Sequence, residues 1–469
     1  MTPTRSPRPI RRATSAAALL AVSTSCLGLD LNYRLGVFAE HSDNIARQPV
    51  TDDPAFGPIA SDTAIAPYIG FALTQDGDVL SLQAAGDLER RRYANDSFDD
   101  ESRTRMGLRA AWRLLPERLT WALDGVLSDQ PVNVFAVEQP DNLQRTRLLV
   151  TGPTLALRPT ARTRLLLEAR YTNTDRPTAR TRLLLEARYT NTDAEQTIDF
   201  NSDRWSAAVR GLWELSSVST LSFNAEHLDA RFDVASSFNA DYQRQDLFAR
   251  FDRRSRRGDW SADLGVTRVG FDEADPDAAE DETRPLLRLR GGLQLTELTR
   301  LEASLLRQFS DSSQYLLGSA PTVTDYELPI GLPNLSTTAV SADLYDEKSA
   351  SLGIARRSDT VYLRVDAYLR RFGYEINPEL DQDAEGVSVG ISRQITPAVA
   401  VGGYAAREWR DYTALLRDDR ELRYGATLDW RWSRHFGVSL DLSHNQRDSS
   451  DPLQAYDDNR VVLSINYVR

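Results

Sequence analysis

Cysteine and lysine are almost missing from this chain of 469 residues: Cys26 is its one cysteine and Lys348 its one lysine. A lone cysteine excludes a disulfide framework within the chain. No run of 18 apolar residues occurs, which excludes a membrane-spanning helix. Positive charge is not in excess, since 56 basic residues face 68 acidic ones for a net charge of −12. A nucleic-acid partner is therefore not expected, because nothing would neutralise a phosphate backbone. Histidine is scarce as well. His41, His227, His435 and His444 have no metal-ligand spacing, and no glycine-rich phosphate loop is present. Ser443 and His444 beside Asp441 invite comparison with barrel hydrolases, but neighbours in a strand point apart. No metal, cofactor or catalytic residue is expected, and the chain does not read as an enzyme.

What is present begins with an export signal. Arg5, Arg8, Arg11 and Arg12 make a positive start, Ala16 to Val22 an apolar core, and Ser23, Thr24 and Ser25 a small-residue stretch. Residues 1–28 are expected to be a signal peptide removed near Gly28. A lipid anchor on Cys26 is disfavoured by Ser23, which stands where an aliphatic residue is wanted.

From residue 29 to 469 one pattern repeats. Leu29, Leu31, Tyr33, Leu35, Val37 and Ala39 would share one face of a strand, and Asp30, Asn32, Arg34 and Glu40 the other. Leu287, Leu289, Gly291, Leu293 and Leu295 alternate with Arg288, Arg290 and Gln294 in the same way. Period two held over segment after segment excludes helices. A soluble sandwich also alternates, so the polar face decides. It carries arginine and carboxylate deep into the strands, and a lipid-facing arginine at mid-membrane costs about 2–4 kcal/mol. These residues must face a wet interior. The expected fold is all-β: a single antiparallel up-and-down transmembrane barrel of about 20 strands in a Gram-negative outer membrane.

Connections alternate between short ones, such as Gln75–Asp78 and Leu115–Arg118, and long ones, such as 44–62 and 310–346. Short turns belong to the periplasmic side and long loops outside. The longest, 310–346, is the best candidate to fold inward and constrict. Trp112, Trp121, Trp213, Trp260, Trp430 and Trp432 lie near short turns and would form a periplasmic aromatic girdle. Residues 158–175 recur letter for letter as 176–193. One unit encodes one strand, and one extra strand would reverse everything downstream. Only one copy is expected in the wall, the other in an enlarged external loop; the alternative is 21 strands with the ends on opposite sides.

The interior face is the expected functional surface. Arg105, Arg109, Arg113, Arg170, Arg210, Arg288, Arg290, Arg364, Arg370, Arg423 and Arg431 would line it with Asp87, Asp366, Glu408, Asp429, Tyr368 and Tyr404. Charged rings select ions, and arginine with tyrosine suits hydroxyl-rich or carboxylated sugars. Two functions remain open: a channel for small polar solutes or saccharides, and a structural barrel closed by its own ion pairs.

The opening from Leu29 through Glu40-His41-Ser42-Asp43-Asn44-Ile45-Ala46-Arg47, the Pro116-Glu117-Arg118-Leu119 turn and the Asp199–Arg204 stretch resemble uncharacterised outer-membrane barrels that accompany exosortase/PEP-CTERM and exopolysaccharide systems. The resemblance implies a barrel linked to envelope polysaccharide and supplies no catalytic residues. The expected partners are outer-membrane lipid, the barrel-assembly machinery and a small polar solute or saccharide. The final Tyr467-Val468-Arg469 departs from the usual terminal aromatic, although Val461, Leu463, Ile465 and Tyr467 alternate as an assembly signal would.

Overall fold

The computed structural model describes residues 28–49, 59–133, 135–157, 181–234, 236, 239–271, 281–323 and 341–469. The period-two segments are strands β1 (Leu29–Ser42), β2 (Asp62–Asp76), β3 (Leu80–Tyr93), β4 (Glu101–Leu115), β5 (Leu119–Pro131), β6 (Leu143–Leu157), β7 (Thr181–Ala194), β8 (Ser202–Ser216), β9 (Ser219–Phe232) and β10 (Tyr242–Arg254). The second half holds β11 (Gly258–Phe271), β12 (Glu282–Gln294), β13 (Thr299–Ser310), β14 (Tyr345–Arg357), β15 (Val361–Tyr374), β16 (Gln382–Thr396), β17 (Val399–Tyr412), β18 (Arg417–Arg431), β19 (Phe436–Ser449) and β20 (Tyr456–Val468). Among the described residues α1 (Ser312–Ser319) is the α-helix that interrupts the series, beside a few single 3-10 turns. Each strand pairs antiparallel with its sequence neighbours, and β1 pairs with β20, so the sheet closes without an edge. Closure is what hydrocarbon demands, since no water is present to satisfy an open edge.

Register separates the two faces. Leu247 pairs with Val266, and Leu289 pairs with Leu305; these side chains stand exposed on the outer wall. At positions of the opposite parity, Arg250 pairs with Asp263 and Asp263 with Arg288 on the inner wall. Strands of 12 to 15 residues exceed the roughly 9–11 needed to cross a bilayer, so they project past it. Burial concentrates in that projecting part, at the long-loop end, in clusters such as Tyr345, Phe372 and Tyr374.

The seam between β1 and β20 is locked at both ends. At the short-turn end Tyr467 packs against Phe436 and Tyr33, with ring centroids at 5.3 and 6.2 Å, and Tyr33 exchanges both backbone hydrogen bonds with Arg469. At the other end Ser42 donates to Asp458 at 2.5 Å, Asp43 accepts from the backbone and side chain of Asn459 at 2.8 Å each, and Asn44 donates to the Asp457 carbonyl at 2.9 Å. The Ser42-Asp43-Asn44 turn is thus a clasp across the closure.

The repeated unit contributes one strand to the described wall. The second copy supplies β7, and the wall has an even twenty strands. Leu157 at the end of β6 pairs with Leu183 near the start of β7, so the two described strands meet at the short-turn end. The place expected for the other copy, an enlarged external loop, falls on residues that are not described. The first copy itself, like residues 1–27, lies outside the described residues.

Leu247, near the middle of β10 and well exposed on the outer wall, gives a direct test of the two faces. Leu247→Arg should destabilise the folded barrel by about 2–4 kcal/mol in urea titrations in lipid vesicles.

Candidate functional site

Two long loops fold across the outer mouth. In the first, Asp311 caps α1 by accepting from the Gln314 backbone at 3.1 Å. The same carboxylate takes the Arg204 guanidinium at 3.0 Å and the Tyr242 hydroxyl at 2.9 Å, tying the helix to the wall. Burial works to raise the Asp311 carboxyl, but Arg204 and Arg244 hold it below its usual range. Leu316 buries against Val126, Leu148, Ala194 and Phe200. A Cβ at Gly107 would collide with the Pro321 carbonyl, so glycine on β4 makes room for the loop.

The second loop, joining β5 to β6, crosses to the far wall. The Phe135 carbonyl accepts from Arg417 at 2.8 Å, and the Phe135 ring meets Tyr412 edge-on at 5.7 Å. Farther along, the Glu138 carbonyl accepts from Arg47 at 2.9 Å. Beneath the loops the wall is paired: Arg417 with Asp419 at 2.8 Å, Arg91 with Glu40 at 2.9 Å, Arg460 with Glu40 at 3.1 Å, Arg410 with Glu408, and Arg447 with Glu421. Buried pairs of this kind add little net stability, but losing one partner costs about 3–5 kcal/mol.

Below the mouth the interior is wet. The Arg109 side chain is 73% exposed although it pairs with Asp124 at 3.2 Å, whereas Arg204 and Asp311 above are each 3% exposed. Tyr315 and Ser319 of α1 border two cavities, of about 760 Å³ and 640 Å³, so the helix divides the upper lumen. A third space of about 620 Å³ shares Arg290, Tyr368 and Arg370 with the second.

The interior residues named from the sequence fall at three levels. Glu408 and Arg423 belong to the packed mouth, where Glu408 also accepts from Tyr368 and Arg423 donates to Glu421 at 2.8 Å. The middle level holds Arg105 with Asp87 at 3.7 Å, Arg210 between Glu186 and Glu226 at 3.0 Å each, Arg288 on Gln308, Arg364 on Asp366 at 2.7 Å, and Tyr404 on Asp441 at 3.3 Å. Asp429 sits opposite Ala400 in the same register row. Arg370 lies over the Tyr368 ring at 4.6 Å. Arg290 has no carboxylate partner among the described residues and is exposed to the cavity. At the lowest level Arg113 and Arg431 turn back onto neighbouring turns, donating to the carbonyls of Asp78 and Pro397 at 3.0 and 3.2 Å, and so brace the rim. Arg170 lies outside the described residues; its counterpart Arg188 donates to Thr154 and the Pro153 carbonyl at 2.7 Å each. Trp112, Trp121, Trp213, Trp260, Trp430 and Trp432 stand exposed at the short-turn end. Ser443 pairs in register with Gly425 on the inner face, while His444 packs on Tyr424 at 4.9 Å on the outer, so they form no nucleophile–base pair.

Sequence reasoning missed Asp43, Arg47, Phe135 and Asp311 as parts of the mouth. Only the Ser-Asp-Asn-Ile run had attracted notice, and its role as a clasp depends on contacts with residues more than 400 positions away.

Residues 382–469, which are β16 to β20, match the family described as "Putative beta-barrel porin 2". No curated protein matches the sequence. Among solved structures, the siderophore receptor PirA from Acinetobacter baumannii is similar at 10% identity over 94% of this chain and 80% of that one, with a TM-score of 0.44. OccK2 (OpdF) from Pseudomonas aeruginosa is similar at 11% identity over 94% and 98%, with a TM-score of 0.38. The chain is a β-barrel of the outer membrane. Its greasy outer wall, closed sheet and exposed tryptophans all meet the requirements of that setting.

Two measurements probe the mouth of this barrel. Removing both clips on the second loop, with Arg47→Ala and Arg417→Ala, should raise single-channel conductance while heat-modifiability on gels still reports a folded barrel. The second concerns pH. Residues 375–377 clasp the return leg of the first loop, with the Glu375 backbone donating to Leu344 at 3.0 Å and the Asp343 carboxylate accepting from Ile376 and Asn377 at 2.9 and 2.8 Å. Burial pushes the Asp343 carboxyl up to about 6, despite these hydrogen bonds. Burial also pushes Glu375 up to about 7, against the pull of Arg284 at 2.8 Å. Carboxyls raised in the packed state take up protons there first, so acid favours the packed state over an open one with ordinary values. Openings should become rarer as pH falls from about 8 through 7 and 6. Asp343→Asn should remove the lower step and leave the Glu375 one.

Proposed function

We propose that this barrel is a channel for small polar solutes, and that saccharides bearing a carboxylate are the class its lumen suits best. The observation that carries the reading is the β12–β15 wall. There Arg290, without a carboxylate partner among the described residues, and Arg370, stacked on Tyr368, border two cavities of about 640 and 620 Å³ that share these lining residues. Guanidinium forks match a carboxylate, and an aromatic face takes a sugar ring. The cavities have the size of ordinary small-molecule sites, roughly 300–1,000 Å³. Residues 1–28 serve as the export signal, the barrel-assembly machinery inserts the strands, and the resemblance of the Leu29–Arg47 stretch supports work beside an exopolysaccharide system.

The packed outer mouth favours a second reading, a structural barrel with a closed lumen that supports a surface assembly. Planar-bilayer recording separates the two. The channel reading expects steady openings, blocked by glucuronate more strongly than by glucose. Arg290→Gln with Arg370→Gln should move the reversal potential toward cations and weaken the glucuronate block several-fold. A silent wild-type protein, across voltage and from pH 5 to 8, would favour the structural reading.

A further inference from the structure

The outer wall carries a concavity that the passage of solutes does not use. It occupies about 700 Å³ across β12 to β18, near the long-loop end. Its floor is apolar: Leu305 and Leu369 are 42% and 58% exposed there, with Leu287 and Trp409 beside them. Along one flank Arg307 pairs in register with Lys348, and Lys348 with Arg371. The chain's single lysine therefore stands between two arginines on adjacent strands. Like charges directly across a ladder destabilise a sheet, so three in a row call for a counter-charge. The wall supplies part of it: Asp383 takes Arg371 at 2.6 Å, and Asp346 takes Lys348 at 3.0 Å. Arg307 has no carboxylate partner among the described residues, and its buried Nε has no hydrogen-bond acceptor. Glu385, Asp411 and Asp418 line the opposite flank together with Arg420, so the row on β13 to β15 is the more positive side.

We propose that this concavity binds one molecule of a phosphorylated, acylated glycolipid of the outer leaflet. Its phosphate sits against Arg307 and Lys348, and an acyl chain lies over Leu305 and Leu369. Three features fit that occupant together: a cation row, an apolar floor directly beneath it, and a position on the lipid side of the wall near the outer rim. A soluble anion would use only the first of them. The site is separate from the lumen, because side chains on these faces alternate with the inward ones.

The test uses the full-length barrel purified in a zwitterionic detergent, with lipid A bisphosphate as the probe and binding read by native mass spectrometry. One lipid per chain is expected. Arg307→Gln with Lys348→Gln should weaken binding roughly thirtyfold, the sum of two cations at an anionic lipid surface. Heat-modifiability and the lumen's conductance should be unchanged in that variant, so a failed site is distinguishable from a failed channel. The dephosphorylated lipid should bind far more weakly. Unchanged binding by the double variant would overturn the proposal. So would displacement of the lipid by millimolar inorganic phosphate alone, which would make this a free-anion site. A chain dimer that the double variant abolishes would overturn it too, by assigning the face to a second copy. If the double variant misfolds, Leu305→Asn with Leu369→Asn applies the same test from the acyl side.

Discussion

The pairing of β1 with β20 is the constraint on which everything else rests. A sheet of twenty strands crossing hydrocarbon has two edges unless its first strand meets its last, and each unpaired group there would be paid for in full. The pairing covers residues 34–42 of β1, fewer than its pairing with β2, which covers residues 29–42. The ladder that must not open is therefore among the shorter ones in the wall. Side chains make up the difference, with aromatic rings at one end and the Ser42-Asp43-Asn44 clasp at the other.

The same clasp leads into the mouth. Three residues beyond Asn44, Arg47 holds the loop that crosses from β5, and Glu40, four residues before it, joins two arginines from either side of the seam. Closure of the wall and closure of the lumen are coupled through this short stretch. The interior grades from buried ion pairs at the top to exposed ones below. That gradient reconciles a tight outer end with a lumen suited to passage, since only loop contacts separate the two conditions.

The wall was legible in the sequence because each strand records its two environments in alternate letters. Leu289 and Arg290 announce a greasy side and a wet side without reference to any other strand. Strand number, closure and the depth of the arginines followed from that local code. The mouth was not legible, because its contacts join residues far apart. Nothing around Phe135 shows that its carbonyl meets Arg417, and nothing around Asp311 shows that its cap also answers Arg204. Arg113 and Arg431 were read as pore-lining from parity alone, which fixes a face but not whether a long side chain reaches along it to a turn. Parity likewise limits the wall to one copy of the repeat without choosing between them, and the second copy is the one that supplies β7.

That choice has a consequence of its own. The two 18-residue units are letter-identical, so either can fill the place of β7 with the same neighbours on β6 and β8. The wall therefore holds one place for which the chain carries two equal sequences, and the pairing partners on β6 and β8 read the same letters in either.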